Sequence, residues 1–227
     1  MRFDAIIFDF DGVLLESEFE GNQMLAELLT KIGHPTSIAE AVEHYNGLAG
    51  QAFIDAVEAR IGQTLPPEFH EGARALRDRS LREGIAAVAG AVEFVRALPR
   101  ELPKAVASSS STRWVRTHLA HLALNHAFEP HIYSGREDVE RGKPAPDLYF
   151  HAAKELGVDI SRTVILEDSK VGATGALASG AIVIGLAAGR HCFDGYDDML
   201  KSVGVRNIAH SFDEVARFVG LSDEQMT

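Results

Sequence analysis

The segment from Ala5 to Gly12 constrains the fold of this 227-residue chain more than any other stretch. The apolar run Ala5 to Phe8 predicts a short buried strand, which ends on Asp9 and Asp11. Alternate residues of an extended chain point the same way, so the two carboxylates would repel each other unless a cation or a proton lies between them. Gly12 then permits a sharp turn. The alternative is a polar strand end that only caps the next element.

The composition indicates a folded globular protein without a cationic surface. Hydrophobic residues make up 46% of the chain, enough for a sizeable core in one large or two modest domains. Nucleic acids and anionic membranes bind cationic faces, so the formal net charge of -11 argues against both as partners, and no protein partner is evident. Cys192 is the only cysteine, which excludes an intrachain disulfide, and we interpret it as inert although His191 precedes it.

No targeting segment is visible, because three aspartates interrupt what would be the apolar part of a signal peptide, and we expect a cytoplasmic protein. The uncharged stretch from Val171 to Gly189 approaches the length of a membrane span, which is roughly 20 residues. Its five glycines favour a different interpretation. We predict a helix from Val171 to Ser179, a turn at Gly180 and a buried strand from Ala181 to Gly185.

Residues 16–86 are predicted to form a helical insertion. Ser17-Glu18-Phe19-Glu20 has the form of a capping box, with Ser17 as the N-cap and Glu20 three residues later. No stretch between Ser17 and Glu83 has the pattern of a strand. Further helical patterns cover Ala39 to His44, Gln51 to Ile61 and Pro67 to Arg82.

From residue 87 onwards strand and helix patterns alternate, which predicts a parallel sheet with helices on both faces. The predicted strands are Lys104 to Ala107, His131 to Ser134, Thr163 to Leu166 and Ala181 to Gly185. The predicted helices between them are Val92 to Leu98, Thr112 to Leu122, Asp147 to Leu156 and Val171 to Ser179. We therefore expect an α/β fold: a Rossmann-like, doubly wound parallel sheet core formed by residues 1–15 and 87–227, with an inserted α-helical domain at 16–86.

Polar side chains stand where the predicted core strands end. In open parallel sheets reactive groups collect beyond the carboxyl ends of the strands. Three such ends carry Asp9 with Asp11, then Ser108, then Glu167 with Asp168. Carboxylates of this kind suit Mg²⁺, which also binds substrate phosphate. The alternative is a set of structural salt bridges, for which Lys143 is the obvious partner.

Two loops add candidate anion-binding groups. Ser108 at the end of a strand could bind an anion at a helix entrance, although helix capping is the simpler role for a serine cluster. Lys143 lies in a stiff proline-containing loop that would hold a cation at a defined point, although a solvated lysine is the alternative. Gly135 and Gly142 resemble a P-loop only superficially, because six residues separate them and Pro144 stands where Ser or Thr is needed.

Four motifs carry a resemblance to a known family. They are Asp9-x-Asp11-Gly12, Ser108, Lys143-Pro144 and Glu167-Asp168. Their order and context are typical of the haloacid dehalogenase superfamily, and the resemblance covers essentially the whole chain. The helical insertion after the first strand resembles the cap of the subfamily that contains β-phosphoglucomutase and small phosphosugar phosphatases.

The resemblance implies roles for four side chains. Asp9 would be the nucleophile that forms an aspartyl-phosphate. Asp11 would protonate the leaving oxygen and then activate water. Ser108 and Lys143 would hold the phosphoryl oxygens.

The resemblance also implies a magnesium site. The ion would be held by the Asp9 carboxylate, the Asp11 backbone carbonyl and Asp168, with Glu167 either as a further ligand or as a partner of the ligands. The substrate-binding candidates are Ser17, Asn46, Gly47, Ser109 and Ser110.

Within this family a phosphatase for a small phosphosugar or sugar-acid phosphate is favoured over a mutase. Asn46 and Gly50 stand where β-phosphoglucomutases carry a lysine and an arginine, and Ser111 stands where they carry another lysine. A second substrate phosphate would therefore lack partners. Arg113 could reach the same volume, so the mutase remains an alternative.

Other classes fit less well. Asp11 together with Glu167-Asp168 disfavours haloacid dehalogenases proper and phosphonate hydrolases, which carry a small or aromatic residue at the position of Asp11. Receiver domains of response regulators combine similar groups on a parallel sheet, but they lack the helical insertion. His118 and His121 lie one helical turn apart, and we interpret them as part of a solvated helix face.

Overall fold

The computed structural model of the protein describes residues 3–45 and 50–221. These ranges contain six strands and eleven α-helices. The strands are β1 Ala5–Phe8, β2 Lys104–Ser108, β3 Ile132–Ser134, β4 Thr163–Glu167, β5 Ile182–Leu186 and β6 Asn207–Ala209. The helices are α1 Ser17–Lys31, α2 Ile38–Tyr45, α3 Gly50–Ile61, α4 Pro67–Glu83, α5 Ala91–Ala97, α6 Thr112–His121, α7 Asn125–Phe128, α8 Asp147–Leu156, α9 Lys170–Ala178, α10 Tyr196–Ser202 and α11 Phe212–Val219.

The six strands form one parallel sheet in the order β3-β2-β1-β4-β5-β6. From β1 the chain first builds outward to β3 and then returns to build β4, β5 and β6 on the other side. The predicted doubly wound α/β fold is therefore confirmed. Because β1 lies between β2 and β4, the carboxyl ends of these three strands are neighbours, which is the switch point where such sheets bind ligands.

Strand β1 shows why both faces of the sheet need helices. Ile6 and Phe8 belong to one apolar cluster, whereas Ile7 between them belongs to the cluster on the opposite face. All three side chains are fully buried. Successive side chains of a strand point to opposite faces of the sheet. A strand that is apolar at every position is therefore stable only when other elements cover both faces.

Helices α1 to α4 form the helical insertion and have an apolar cluster of their own, which includes Leu25, Leu29, Val57 and Phe69. Among the described residues from Ser17 to Glu83, all regular structure is helical, as predicted. The insertion packs on the core through α4, which contacts α6. The assignment of residues 16–86 to a separate domain stays a prediction.

The two ends of the insertion lie side by side. The Glu16 backbone N–H donates to the Ala86 carbonyl at 2.9 Å, and Leu15 forms an antiparallel bridge with Ala87. The chain therefore leaves and rejoins the core through one pair of hydrogen-bonded segments.

The predicted capping box at Ser17 is wrong in its contacts. Helix α1 begins at Ser17, but its N-cap is Glu16, and no side chain caps the helix there. The Ser17 hydroxyl instead donates to Asp11 Oδ1 at 2.7 Å. The sequence pattern predicted where the helix begins but not what the serine binds.

The stretch from Val171 to Gly189 forms helix α9 and strand β5, as predicted. A search of the described helices for one both long and apolar enough to cross a bilayer finds none.

Candidate active site

Topology brings the predicted strand-end residues together. The Asp9 N–H donates to the Leu166 carbonyl at 2.9 Å, which places Asp9 beside the end of β4. Carboxylate oxygens of Asp9, Glu167 and Asp168 lie within 4.8 Å of one another, and all three residues are buried. The structure thus assembles one acidic cluster from two neighbouring strands.

Lys143 links two members of this cluster. Its Nζ lies 2.7 Å from Asp9 Oδ1 and 2.5 Å from Glu167 Oε1, and its side chain is only 3% exposed. Burial and the charge of Glu167 hold the pKa of Asp9 well above its usual value. Burial lowers the pKa of Lys143, but the carboxylates of Asp9 and Glu167 outweigh it and raise that pKa. Lys143 therefore stays protonated beside the candidate nucleophile.

Both carboxylate oxygens of Glu167 accept hydrogen bonds from the protein. Besides Lys143, its Oε1 accepts a hydrogen bond from the Tyr149 hydroxyl at 2.6 Å. Its Oε2 accepts from the Ser169 hydroxyl at 3.1 Å and from the Ser169 N–H at 3.3 Å. This carboxylate is arranged to hold Lys143 in place.

Asp168 differs from Glu167 in one respect. Its Oδ2 lies 2.9 Å from His191 Nε2, whereas its buried Oδ1 has no hydrogen-bond partner in the described structure. A buried carboxylate oxygen without a partner is costly, so it points to a ligand that binds there. Gly12 makes room for this carboxylate, because a Cβ at that position would overlap Asp168 Oδ2.

His191 is itself enclosed. The ring is 1% exposed, and its Nε2 also lies 3.1 Å from the Tyr196 hydroxyl. Burial lowers the pKa of His191, but the hydrogen bond to Asp168 outweighs it and raises the pKa to about 10. Among the described residues, the His191 histidinium and Lys143 are the cationic side chains that contact the three carboxylates.

The cluster fits a divalent cation. Three carboxylates against two side-chain cations leave an excess of negative charge, and Asp168 Oδ1 is free to coordinate. Oxygen donors of this type suit hard cations such as Mg²⁺. A bound cation would also lower the pKa of Asp9, because it stabilises the ionised carboxylate.

Asp11 lies apart from this cluster and accepts four hydrogen bonds. Oδ1 accepts from the Ser17 hydroxyl at 2.7 Å and from Trp114 Nε1 at 3.0 Å. Oδ2 accepts from the hydroxyls of Ser110 at 2.6 Å and Ser108 at 3.3 Å. Two residues apart in sequence, Asp9 and Asp11 thus have different environments, which suits them to different tasks.

The predicted substrate-binding residues fall into three groups. Ser17 and Ser110 contact Asp11, as described. Ser109 is exposed at the end of β2. Asn46 and Gly47 lie outside the described residues. The roles of all five in substrate binding stay predictions.

Four residues near these groups were missed by sequence reasoning: Trp114, Tyr149, Glu18 and His191. Burial, together with the charges of Asp168 and Asp11, raises the pKa of Glu18 to about 7. The helical pattern that begins at Ser17 predicts that Glu18 lies on α1, but it does not predict that this side chain is directed towards the core. The contacts of the other three join residues far apart in the chain, and no local motif marks them.

The interpretation of His118 as part of a solvated face is wrong. Its ring is fully buried, and both ring nitrogens lack hydrogen-bond partners. It packs edge to face on Trp114, with ring centroids 4.2 Å apart, because the two residues lie one turn apart on the same face of α6. His121, one turn later, is exposed as expected.

A cleft of about 480 Å³ opens beside the Asp168–His191 pair. The insertion contributes Phe19 and Val42 to its walls, and the loop after β5 contributes Arg190 and Phe193. The Arg190 guanidinium lies 3.7 Å from the centre of the Phe19 ring. The lining of the cleft is largely apolar and also includes the side chains of Arg190, His191 and Glu43.

Comparisons with known proteins identify the family of the chain. The family model described as haloacid dehalogenase-like hydrolase matches residues 3–180. YhcW of Bacillus subtilis is 31% identical over 93% of this chain and 97% of its own length. The 6-phosphogluconate phosphatase of Escherichia coli is 28% identical, covering 84% of this chain and 85% of its own.

Solved structures of the same family have a similar fold. The crystal structure of a hydrolase of the same family from Deinococcus radiodurans, which contains bound phosphate and sodium, superposes with a TM-score of 0.86. It is 30% identical, and the match covers 96% of each chain. The protein is thus a member of the haloacid dehalogenase-like hydrolase family.

Proposed function

We propose that the protein is a Mg²⁺-dependent phosphatase that hydrolyses a small phosphomonoester, a phosphosugar or sugar-acid phosphate, through an aspartyl-phosphate on Asp9. The observation that carries the proposal is the buried contact of Lys143 Nζ with Asp9 Oδ1, next to the partnerless Oδ1 of Asp168. This arrangement supplies a carboxylate nucleophile, a fixed cation and a carboxylate oxygen that could bind a metal. Relatives that are named phosphatases for 6-phosphogluconate and fructose 1-phosphate support the substrate class.

The metal would be held by the Asp9 carboxylate, by Asp168 Oδ1 and by the backbone carbonyl of Asp11. Glu167 is better suited to hold Lys143, because both of its oxygens already accept hydrogen bonds from the protein. When bound, Mg²⁺ supplies positive charge that offsets the repulsion between the carboxylates and the phosphoryl oxygens.

In the first step an oxygen of Asp9 attacks phosphorus, and the bond from phosphorus to the ester oxygen breaks. The Asp11 carboxyl donates its proton to that leaving oxygen. Lys143 would stabilise the charge on the phosphoryl oxygens, and Ser108 at the end of β2 would donate a hydrogen bond to them.

In the second step Asp11, now ionised, accepts a proton from water. The oxygen of that water attacks phosphorus, the acyl-phosphate bond breaks, and the Asp9 carboxylate and inorganic phosphate are released. The different surroundings of Asp9 and Asp11 suit these roles. Asp9 contacts a permanent cation, whereas Asp11 contacts hydroxyl groups that can either donate or accept a hydrogen bond.

The cleft between the insertion and the core suits a small ester. Its volume of about 480 Å³ falls within the usual range for small-molecule sites, and Arg190 could pair with the carboxylate of a sugar acid. Asn46, Gly50 and Ser111 stand where β-phosphoglucomutases carry cations, which favours a phosphatase over a mutase, but Arg113 and Arg190 are cations that a second phosphate could use.

Phosphate release from a panel of phosphomonoesters, with and without Mg²⁺, tests the proposal. We expect Mg²⁺-dependent release in the wild type and none above background in Asp9→Asn, with normal release in Asp213→Asn, whose carboxylate is exposed on α11. Unchanged turnover in Asp9→Asn would refute the mechanism. Conversion of β-glucose 1-phosphate to glucose 6-phosphate faster than phosphate release would identify a mutase instead.

A further inference from the structure

We propose that Trp114 is a positioning residue that orients the Asp11 carboxylate towards the leaving oxygen. The inference rests on the proposed function, in which Asp11 is the general acid. Trp114 is the only tryptophan of the chain, and its Nε1 donates to Asp11 Oδ1 at 3.0 Å. The two residues come from different elements, because Trp114 lies in the first turn of α6 and Asp11 follows β1.

Trp114 differs in kind from the other partners of Asp11. The three remaining donors that the structure describes are the hydroxyls of Ser17, Ser108 and Ser110. A hydroxyl can rotate and can either donate or accept, whereas an indole N–H only donates. Trp114 therefore keeps Oδ1 as an acceptor while the hydroxyls adapt to either protonation state.

The indole ring is held from within the core. His118, one turn later on α6, packs on it edge to face, with the ring planes at 67°. Ser111 caps α6 and accepts the Trp114 backbone N–H at 3.3 Å. The ring is also packed against the apolar cluster on that face of the sheet. These contacts fix the direction of the N–H before any substrate binds.

The insertion contacts the same ring. The guanidinium carbon of Arg77, on α4, lies 5.3 Å from the centre of the Trp114 ring, a distance at which a cation is attracted to an aromatic face. One aromatic side chain thus connects α4 of the insertion with the Asp11 carboxylate. A shift of α4 would change the position of the indole ring and therefore the orientation of the Asp11 carboxylate.

The test compares two esters that differ in their need for a general acid. The p-nitrophenolate of p-nitrophenyl phosphate can leave without being protonated, whereas the alkoxide of an alkyl phosphate needs a proton from a general acid in order to leave. The parameter kcat/KM reports on steps up to formation of the aspartyl-phosphate, where Asp11 acts as the acid. For Trp114→Phe we expect kcat/KM to fall about 10-fold or more with the alkyl ester, and about threefold or less with p-nitrophenyl phosphate.

Two further variants make the test robust. Arg116→Ala alters an exposed residue of α6 that pairs with Glu129, and it should leave both values unchanged. Arg77→Ala alters an exposed residue of α4. Like Trp114→Phe, it should lower kcat/KM more for the alkyl ester than for p-nitrophenyl phosphate, but by a smaller factor. If Trp114→Phe does not fold, the Arg77→Ala variant decides the question.

The outcomes separate the inference from the proposed function. An equal loss with both esters, or no loss with either, would overturn the positioning role while the phosphatase stands. Failure of the wild type to hydrolyse either ester in Mg²⁺, or full activity of Asp9→Asn, would overturn both.

Discussion

His191 Nε2 lies 2.9 Å from Oδ2 of Asp168, and the two side chains are 1% and 3% exposed. This pair fixes one oxygen of the carboxylate and leaves the other, the buried Oδ1, without a hydrogen-bond partner among the described residues. Hydrogen bonds of this kind orient metal ligands and contribute to metal affinity. His191 thus belongs functionally to the proposed cation site although it would not touch the cation.

Replacing His191 by Phe should weaken Mg²⁺ binding by about 10-fold or more, because Asp168 loses the hydrogen bond that orients it. Isothermal titration calorimetry of the purified protein measures this directly. His126→Asn, on the exposed side of α7, serves as the control and should bind Mg²⁺ like the wild type. Equal Mg²⁺ affinity in His191→Phe would show that the pair has no such role.

Replacing Lys143 by Met should lower the free energy of unfolding by about 3 kcal/mol without Mg²⁺, because Asp9 and Glu167 lose their buried counter-charge. Added Mg²⁺ should restore part of this loss through binding to the folded state. Urea unfolding with and without Mg²⁺ gives both values.

The matched control for that change is Lys201→Met. Lys201 is an exposed residue of α10 that pairs with Asp197, so we expect its free energy of unfolding to change by about 0.5 kcal/mol or less. If the two lysine variants were equally stable, the buried charges of the cluster would not depend on Lys143.

Replacing Gly12 by Ala should disrupt both the fold and the cation site. Gly12 has φ +81°, and a Cβ there would overlap the Asp168 carboxylate. Gly62→Ala is the matched control, because Gly62 has φ +71° but open space around it, so it incurs only the backbone penalty of about 1 kcal/mol. Urea unfolding and Mg²⁺ titration should both show a larger effect at Gly12, and equal effects would contradict this account.

Stability should depend on pH through His118. Burial and the nearby His121 lower the pKa of His118 from 6.5 to about 4, against an opposing effect of Asp11. Between pH 6.5 and pH 4 the unfolded chain is protonated at this residue while the folded protein is not. Stability is therefore lost as the pH falls through this range, by at most about 1.4 kcal/mol per pH unit.

His118→Leu should remove this contribution, so the variant should lose less stability than the wild type between pH 7 and pH 5. Urea unfolding at the two pH values measures the difference. Other titrating groups, such as His210 with its raised pKa, are present in both proteins and cancel in the comparison. An identical loss in both proteins would mean that His118 is accessible to protons in the folded state.

Much of the core could be predicted from the sequence because its strands are short apolar runs bounded by helices. Helix α8 was predicted with its observed bounds, and β1, β2, β4 and β5 within two residues. The final helix α11 was missed, although Phe212, Val215, Ala216 and Val219 form an apolar face at helical spacing. Strand β6 has only three residues, too few for a pattern to stand out.

The site was predictable only where chemistry coincides with a strand end. Asp9, Asp168 and Ser108 follow apolar strands, so topology alone predicts that they meet. Trp114 and His191 act through contacts with residues more than 20 positions away, and their local sequence resembles an ordinary helix and an ordinary loop. Such partners become visible only when the elements are packed.

The hydrogen bond between Glu16 and Ala86 also bears on how such a protein could be re-engineered. The two junctions of the insertion are already hydrogen-bonded to each other, so a short turn could join them in place of the insertion. For the same reason, residues 17–85 could be exchanged for the equivalent segment of another phosphatase without moving β1. Selectivity for the ester could then be changed by replacing the insertion alone, while the groups that break the phosphate bond stay on the sheet.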